Sequence, residues 1–442
     1  MNMEKISDIV PHWARRTPDA IALVEGKRVW TYADLDRAIR DVALAQGNLP
    51  LRAGDRAMLI CENRLEDVAA YFACLARGAW PIVVNSKLTP REIDEIRAHS
   101  GARLVLKAGQ ATLFDDAAPE ADSGIAALIY TSGTTGKPKG VMLTHANLMF
   151  VARASGEVRE LATSDRVAAV LPISHILGLT GVLLSSLLHG ASVHLFPRFD
   201  PAAVLAADPS VLIGTPAMYQ MLSEYLTRKH LEPGANLRLI ASAGAPLDMA
   251  TKTAAEAAFA MKLRNGYGIS ECGPTITLNR TPREDCGIGQ LLPGIEAKLI
   301  ADELYVRSPG VMRGYYRAPE ETASAVDAEG WFRTGDLARF ENGSWFITGR
   351  AKEMIIRFGF NVYPAEIEGV LNAHPAVRRS AVIGRDDEIV AFVEGSAAED
   401  EIARYASANL APYKRPTAFR LVEALPLSPA GKILKNALAA LV

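Results

Sequence analysis

Between residues 31 and 106 apolar runs alternate with amphipathic stretches that carry helix-start signals, and this alternation restricts the chain to sheets built from strand–helix units. Thr31-Tyr32-Ala33-Asp34 has the spacing of a capping box and predicts a helix to about Gln46. Residues 56–61 read as a strand, 65–77 as a helix with small residues facing inward, and 79–85 as a second strand. Pro90, one residue after Thr89, sits where a first helical turn tolerates it, so 89–100 reads as a helix and 102–106 as the next strand. Strands joined through helices run parallel and are covered on both faces. Residues 211–215, 237–242 and 261–264 extend the pattern.

One segment breaks the alternation. The apolar run 125–130 leads into Thr131-Ser132-Gly133-Thr134-Thr135-Gly136-Lys137-Pro138-Lys139-Gly140, and Val141-Met142-Leu143 follows, which reads as a strand, a ten-residue loop and a short second strand. Glycines let backbone N–H groups converge on an anion, the hydroxyls add donors and the two lysines add charge, so the loop reads as a polyphosphate cradle. It is not a Walker A loop. That motif needs Gly-Lys-Ser/Thr opening a helix, whereas Pro138 follows Gly136-Lys137 and removes both the N–H and the hydroxyl.

After Gly273 the texture changes to short strands (297–300, 303–306, 345–348) punctuated by Gly and Pro, which predicts a smaller antiparallel sheet or barrel. Beyond Arg350 the pattern is a compact α+β unit. Pro364 starts a helix with Ile367, Val370 and Leu371 on one face, residues 381–393 fold as a hairpin, and a helix over 401–410 precedes a strand over 418–422. A terminal helix starts near Lys432.

The loop resembles the signature of the adenylate-forming superfamily, which holds acyl-CoA synthetases, peptide-synthetase adenylation domains and luciferases. Five further stretches match in that superfamily's order and span most of the chain: Asn265-Gly-Tyr-Gly-Ile-Ser-Glu271, Trp331-Phe-Arg-Thr-Gly-Asp-Leu337, Gly349-Arg-Ala-Lys-Glu-Met-Ile-Ile356, Gly359-Phe-Asn-Val-Tyr-Pro-Ala-Glu-Ile-Glu368 and Ser428-Pro-Ala-Gly-Lys-Ile-Leu434. The resemblance implies an α/β fold: a large N-terminal domain (1–351) of stacked, mostly parallel sheets plus a small barrel-like sheet, and a small mobile α+β domain (352–442) hinged near Lys352. The turns at 107–124 and 301–302 are short for that pattern, and so is the C-terminal hairpin, which bears on oligomer contacts and leaves a homodimer open.

The resemblance also implies the chemistry: ATP, Mg²⁺ and CoA as cofactors, and a carboxylic acid as substrate. Thr131 to Gly136, Lys137 and Lys139 would hold the β and γ phosphates, Glu271 would hold Mg²⁺, and Ser270, where Thr is usual, would donate a hydroxyl. A single carboxylate suffices for a metal that keeps waters and phosphate oxygens. Tyr267 and Gly266 would lie at adenine, with Gly244, Ala245 and Pro246 as the opposite wall and Asn265 near the exocyclic amine. Asp336 would take both ribose hydroxyls, assisted by Arg350. Lys432, after a Pro/Ser/Gly loop that can swing, would reach the negative charge building at phosphorus. Gly359 and Phe360 would line the pantetheine path, with Arg357, Lys414 and Arg415 as candidates for the CoA phosphates or as solvated charges.

Peptide-synthetase domains hold an amino group with an aspartate near residues 172–178, and no acid stands there, so an amino-acid ammonium would go unpaired in an apolar site. The expected substrate is a medium-chain fatty acid or an aryl acid, in a pocket of His175, Met218, Ala243, Gly268 and Ile269, with His175 over the carboxylate and Gly268 leaving room for the acyl group. Two other readings stand beside a CoA ligase: an enzyme loading a carrier-protein pantetheine, and a nucleotide-binding protein without catalysis. Only ten residues follow Lys432, so no carrier domain is expected there.

Composition narrows partners. A net charge of −2 gives no reason to expect nucleic acid or anionic membrane. Four cysteines (Cys61, Cys74, Cys272, Cys286) lack metal-type spacing and suit a reducing cytoplasm, and the N-terminus carries no signal-peptide pattern. Residues 167–197 carry no Asp, Glu, Lys or Arg, yet Pro172, His175, Gly178, Gly181 and His189 interrupt the run. It reads as a buried helix between core strands, not an integral span of about 20 apolar residues.

Overall fold

The computed structural model describes residues 3–45, 51–114, 119–120, 124–132, 138–357, 360–385, 388–427 and 433–439. The alternation resolves into two large sheets with parallel centres and antiparallel edges. In the seven-stranded sheet Arg56–Cys61 lies parallel to Trp80–Asn85 and Leu104–Lys107, and Trp80–Asn85 is parallel to Ile125–Ser132. In the nine-stranded sheet Ser192–Leu195, Arg166–Ala169, Val211–Gly214, Leu239–Ser242 and Arg264–Gly268 run parallel in that order.

The sheets stack on two helices that lie between them and touch both. Leu65–Ala76 buries Leu65 and the whole run from Val68 to Leu75. It touches Arg56–Cys61 and Trp80–Asn85 in one sheet and Ile21–Glu25 in the other, and its Ala69, Ala70, Ala73 and Cys74 let both approach. His145–Val158, capped by Thr144 accepting from the Asn147 N–H, packs in the same way against Pro138–Thr144 and Thr275–Leu278. The uncharged stretch forms the expected buried helix, a π-helix over Leu177–Leu184 continuing as α-helix over Ser185–Leu188. Among the described residues no helix is long and apolar enough to cross a membrane.

The smaller sheet is antiparallel, ordered Glu296–Ile300, Glu303–Arg307, Phe332–Glu341 and Ser344–Arg350. From Ile355 onward the chain has its own buried clusters, one around Val362, Ile367, Leu371 and Val382 and one around Val390, Phe392 and Leu438. The predicted hairpin is there, Val377–Arg385 with Glu388–Gly395, and Ala418–Val422 joins it in parallel. Lys352 lies in an exposed turn just before this unit.

Three boundaries differ from the sequence reading. The strand expected over 261–264 runs instead over Arg264–Gly268, because its pairing with Thr275–Leu278 carries it into the Asn-Gly-Tyr-Gly motif. The ends of the ten-residue loop belong to strands: Thr131 pairs with Lys139 and Ser132 with Pro138, and Pro138 begins its strand, a position that tolerates a missing N–H. The last helix starts at Lys435, three residues beyond Lys432.

Candidate active site

Four neighbouring strands of the nine-stranded sheet end side by side: Arg264–Gly268, Leu239–Ser242, Val211–Gly214 and Arg166–Ala169. The segments leaving their carboxyl ends bear most of the expected site, namely Ile269 to Glu271, Ala243 to Pro246, Thr215 with Met218, and His175. The carboxyl ends of parallel strands are where such sheets bind ligands. Local chemistry fixes each exit. Gly244 has φ +85°, which a side chain resists, and a Cβ there would sit 3.6 Å from Leu177 and 3.9 Å from Thr215. Thr215 caps Pro216–Lys229, its hydroxyl accepting from the Met218 N–H. Leu177 N–H donates to His175 Nδ1 at 3.3 Å, which leaves the ring's proton on Nε2.

Asn63, which the sequence reading passed over, holds the His175 turn in place. Its amide donates to Ala169 O (3.0 Å) and Leu171 O (2.9 Å), and its oxygen accepts from Ile173 N–H (2.7 Å). It is buried and left-handed (φ 59°), a conformation Asn tolerates. The only signal was a polar Asn between a strand and a helix.

Residues from two sheets meet at Asp336. Its carboxylate is 2% exposed, Oδ2 accepts from the Tyr267 hydroxyl, and Oδ1 is 2.9 Å from Arg350 Nε. Asp336 and Arg350 face each other across the strand pair, and Thr334 Oγ1 accepts from the Asp336 N–H at 3.1 Å. Burial, then the Asp336 charge, pushes the Tyr267 phenol well above its usual pKa, so it stays a donor. For Arg350 burial acts downward, but Asp336 and Tyr267 outweigh it and the net shift is upward. An aromatic face, a carboxylate and a guanidinium thus share one position.

The hairpin of Ile125–Ser132 and Pro138–Thr144 supplies the second cluster. Lys139 Nζ lies 5.2 Å from the centre of the Tyr315 ring, and the Tyr315 hydroxyl donates to Glu271 Oε1 at 2.9 Å. Glu271 sits in a 3₁₀ turn, Ser270–Cys272, tied down by Met312 N–H donating to its backbone oxygen at 2.8 Å. Among the described residues no group of three or more His, Cys, Asp or Glu could hold a metal. A lone, oriented carboxylate near Lys139 fits Mg²⁺, which takes one or two carboxylates and completes its shell with other oxygens and water. Tyr315 was missed because its strand is two residues long and unpatterned.

One expectation needs correction. Gly268 does not leave room for an acyl group: a Cβ there would lie 1.7 Å from Pro274 O, so the chain's own backbone fills that space. Asn265 is buried; its amide donates to Cys286 O at 3.0 Å, and its oxygen accepts from Gly266 N–H. The candidates for CoA phosphates have protein partners: Arg357 donates to Arg415 O (2.6 Å), Lys414 pairs with Glu366, and Arg415 donates to Leu410 O (3.0 Å). Residues 133–137, Gly359 and Lys432 lie outside the described residues, as do the side chains of Ser132 and Phe360.

A model of the AMP-binding enzyme family matches residues 10–316, and that of the AMP-binding enzyme C-terminal domain matches 366–432. The chain belongs to the AMP-binding enzyme family. Along 96% of this chain and 96% of its own length, a feruloyl-CoA synthase from an Amycolatopsis species is 32% identical. A 4-coumarate–CoA ligase from Oryza sativa subsp. japonica is 31% identical over 97% of this chain and 90% of its own. The solved structure of O-succinylbenzoate CoA synthetase from Bacillus subtilis, in complex with ATP and magnesium ion, superposes with a TM-score of 0.87 at 27% identity, covering 98% of this chain and 99% of that one. These similarities place the protein in the acyl-CoA synthetase branch of the adenylate-forming enzymes.

Proposed function

We propose that this enzyme, an AMP-forming acid–thiol ligase working with ATP, Mg²⁺ and CoA, takes an aryl carboxylic acid as its substrate. The observation that carries the nucleotide assignment is the meeting of Tyr267, Asp336 and Arg350 from separate sheets beside the segment bearing Glu271. The relatives named for feruloyl and coumarate substrates support the aryl assignment. The apolar Met218 beside Gly214 and Leu177 beside Gly244 fit that class of acid, and no acid stands at residues 172–178 to pair an amino group.

In the first step a carboxylate oxygen attacks the α-phosphorus, and the bond to pyrophosphate breaks. Both reactants are anions, so alignment and charge neutralisation supply most of the catalysis. Asp336 accepts from the ribose hydroxyls with Arg350 as its counter-charge, the Tyr267 ring bears on adenine, and Lys137 and Lys139 take the departing charge. His175 stands over the carboxylate of the acid. Mg²⁺ held by Glu271 and the phosphates would offset phosphate charge. Lys432 contacts the reacting phosphate in this step. In the second step the unit beyond Lys352 turns about that residue, Gly359 and Phe360 line the way for the CoA thiol, and sulfur attacks the acyl carbon as AMP leaves. The proposed compartment is the cytoplasm, where free thiols such as the four described here persist.

The test is an acid panel (ferulate, 4-coumarate, 2-succinylbenzoate, octanoate) with ATP, reading AMP release with free CoA and with a pantetheinylated carrier protein. Turnover of an aryl acid at least ten times faster than octanoate is expected with free CoA. A preference for octanoate would overturn the aryl assignment. Turnover on the carrier alone would replace CoA as acceptor.

A further inference from the structure

Tyr315 belongs to none of the motifs that identify the site, yet it touches both charged parts of the phosphate end. Gly314–Tyr315 pairs antiparallel with the outer strand of the phosphate hairpin, Gly314 opposite Met142 and Tyr315 opposite Val141. Backbone bonds on either side, Tyr316 N–H to Gly140 O (2.7 Å) and Arg313 N–H to Met142 O (2.9 Å), fix it along the hairpin. From the opposite side the Tyr315 N–H donates to Thr322 Oγ1 at 2.9 Å, and that hydroxyl donates to Ala318 O. The side chain is therefore delivered by a braced backbone, with its ring under Lys139 and its hydroxyl on Glu271.

The two groups it touches carry opposite charge, and a lysine and a glutamate facing one cleft tend to close into a direct pair. That pair would cancel the two charges the cleft needs, the cation for phosphate and the anion for metal. Among the described residues no ion pair joins Lys139 to Glu271; Lys139 meets the Tyr315 ring and Glu271 meets its hydroxyl. A cation over an aromatic face keeps its full charge and its remaining N–H donors. A carboxylate given one neutral hydroxyl donor keeps its charge and its second oxygen.

Resting on the adenylation reading above, we propose that Tyr315 is a positioning residue for the metal–nucleotide complex: it spaces Lys139 from Glu271 and aims the glutamate's free oxygen at the metal. Two substitutions separate its two contacts. Tyr315→Phe keeps the ring under Lys139 and removes the hydroxyl. Tyr315→Leu removes both.

The experiment measures Mn²⁺–ATP binding by electron paramagnetic resonance, together with the Mg²⁺ dependence of acid-driven pyrophosphate exchange. For Tyr315→Phe the expected result is a metal affinity weakened roughly tenfold, the scale of one lost hydrogen bond to a charged group, with KM for the acid unchanged. For Tyr315→Leu the KM for ATP rises as well, even at saturating Mg²⁺. In a Glu271→Gln background the Tyr315→Phe change should add little, because the two act as one unit. Wild-type Mn²⁺ binding and Mg²⁺ dependence in Tyr315→Phe would overturn the proposal, and so would full additivity with Glu271→Gln. Wild-type protein without acid-dependent exchange would instead overturn the adenylation reading, so the two failures are distinguishable. Should Tyr315→Leu melt early, the folded Tyr315→Phe protein alone decides.

Discussion

Asp336→Asn is the sharpest probe of the nucleotide site. The substitution preserves shape and removes one charge at a carboxylate that is 2% exposed and contacts both Tyr267 and Arg350. Its two consequences differ in size. Stability falls modestly: the amide oxygen can still accept from Arg350, and the amide nitrogen can donate to the Tyr267 hydroxyl. Arg350 is 42% exposed, so water screens its lost counter-ion, and the cost is about 1–2 kcal/mol. In a chain this long that is a melting shift of a few degrees. Nucleotide binding falls further, because a hydrogen bond to a charged acceptor contributes about 1.5–3 kcal/mol, or roughly 10–100-fold in KM for ATP.

The assay is pyrophosphate exchange with ATP and with 2′-deoxy-ATP, on both proteins, alongside KM for the acid. Wild-type enzyme should lose affinity when the 2′-hydroxyl is removed. The variant should be nearly indifferent to that removal, since its partner is already weakened, and its KM for the acid should stay within about twofold. If the two losses instead add in full, or if the variant keeps its ATP affinity while folded, the carboxylate does not hold the ribose and the assignment of Asp336 fails.

Lys432→Ala should abolish adenylation while leaving thioester formation from supplied acyl-adenylate largely intact; equal loss of both half-reactions would contradict its role at phosphorus. Gly268→Ala should lower the melting temperature and suppress exchange, because its methyl would fall 1.7 Å from Pro274 O and the backbone carrying Glu271 must shift, at about 1–3 kcal/mol or more; a variant that melts normally would refute the close approach. Stability should decline on acidification. Burial, with help from Lys5, holds His145 down at about 4, where its Nδ1 accepts from Ile6 N–H. Above about 6.5 the ring is neutral folded and unfolded, so the stability is fully present; between about 6.5 and 4 only the unfolded chain binds the proton, and stability drains over that window. His145→Gln should flatten the melting temperature between pH 7 and 4.5, and an unchanged slope would exclude His145 as the source.

How much of this was legible in the sequence depends on the range of the interaction involved. Pro90 after Thr89, the capping box at Thr31 and the apolar run 56–61 act within a turn or a strand, and their elements appear where the residues put them. The buried helix after His175 was legible because uncharged residues cannot be left in water over that length. The chemistry of Asp336 and Glu271 could be named from motif resemblance, and the residue types suit it.

What the sequence could not decide was which groups are already engaged by the fold. Gly268 looked like open space until Pro274 crossed it. Tyr315 gained its place only through pairing with a hairpin strand far away in the chain. Local propensity is written into neighbouring residues and was readable there. The meeting of Lys139, Tyr315 and Glu271, like that of Tyr267 with Asp336, depends on how sheets stack and where their strands end, and only the tertiary structure fixes those distances.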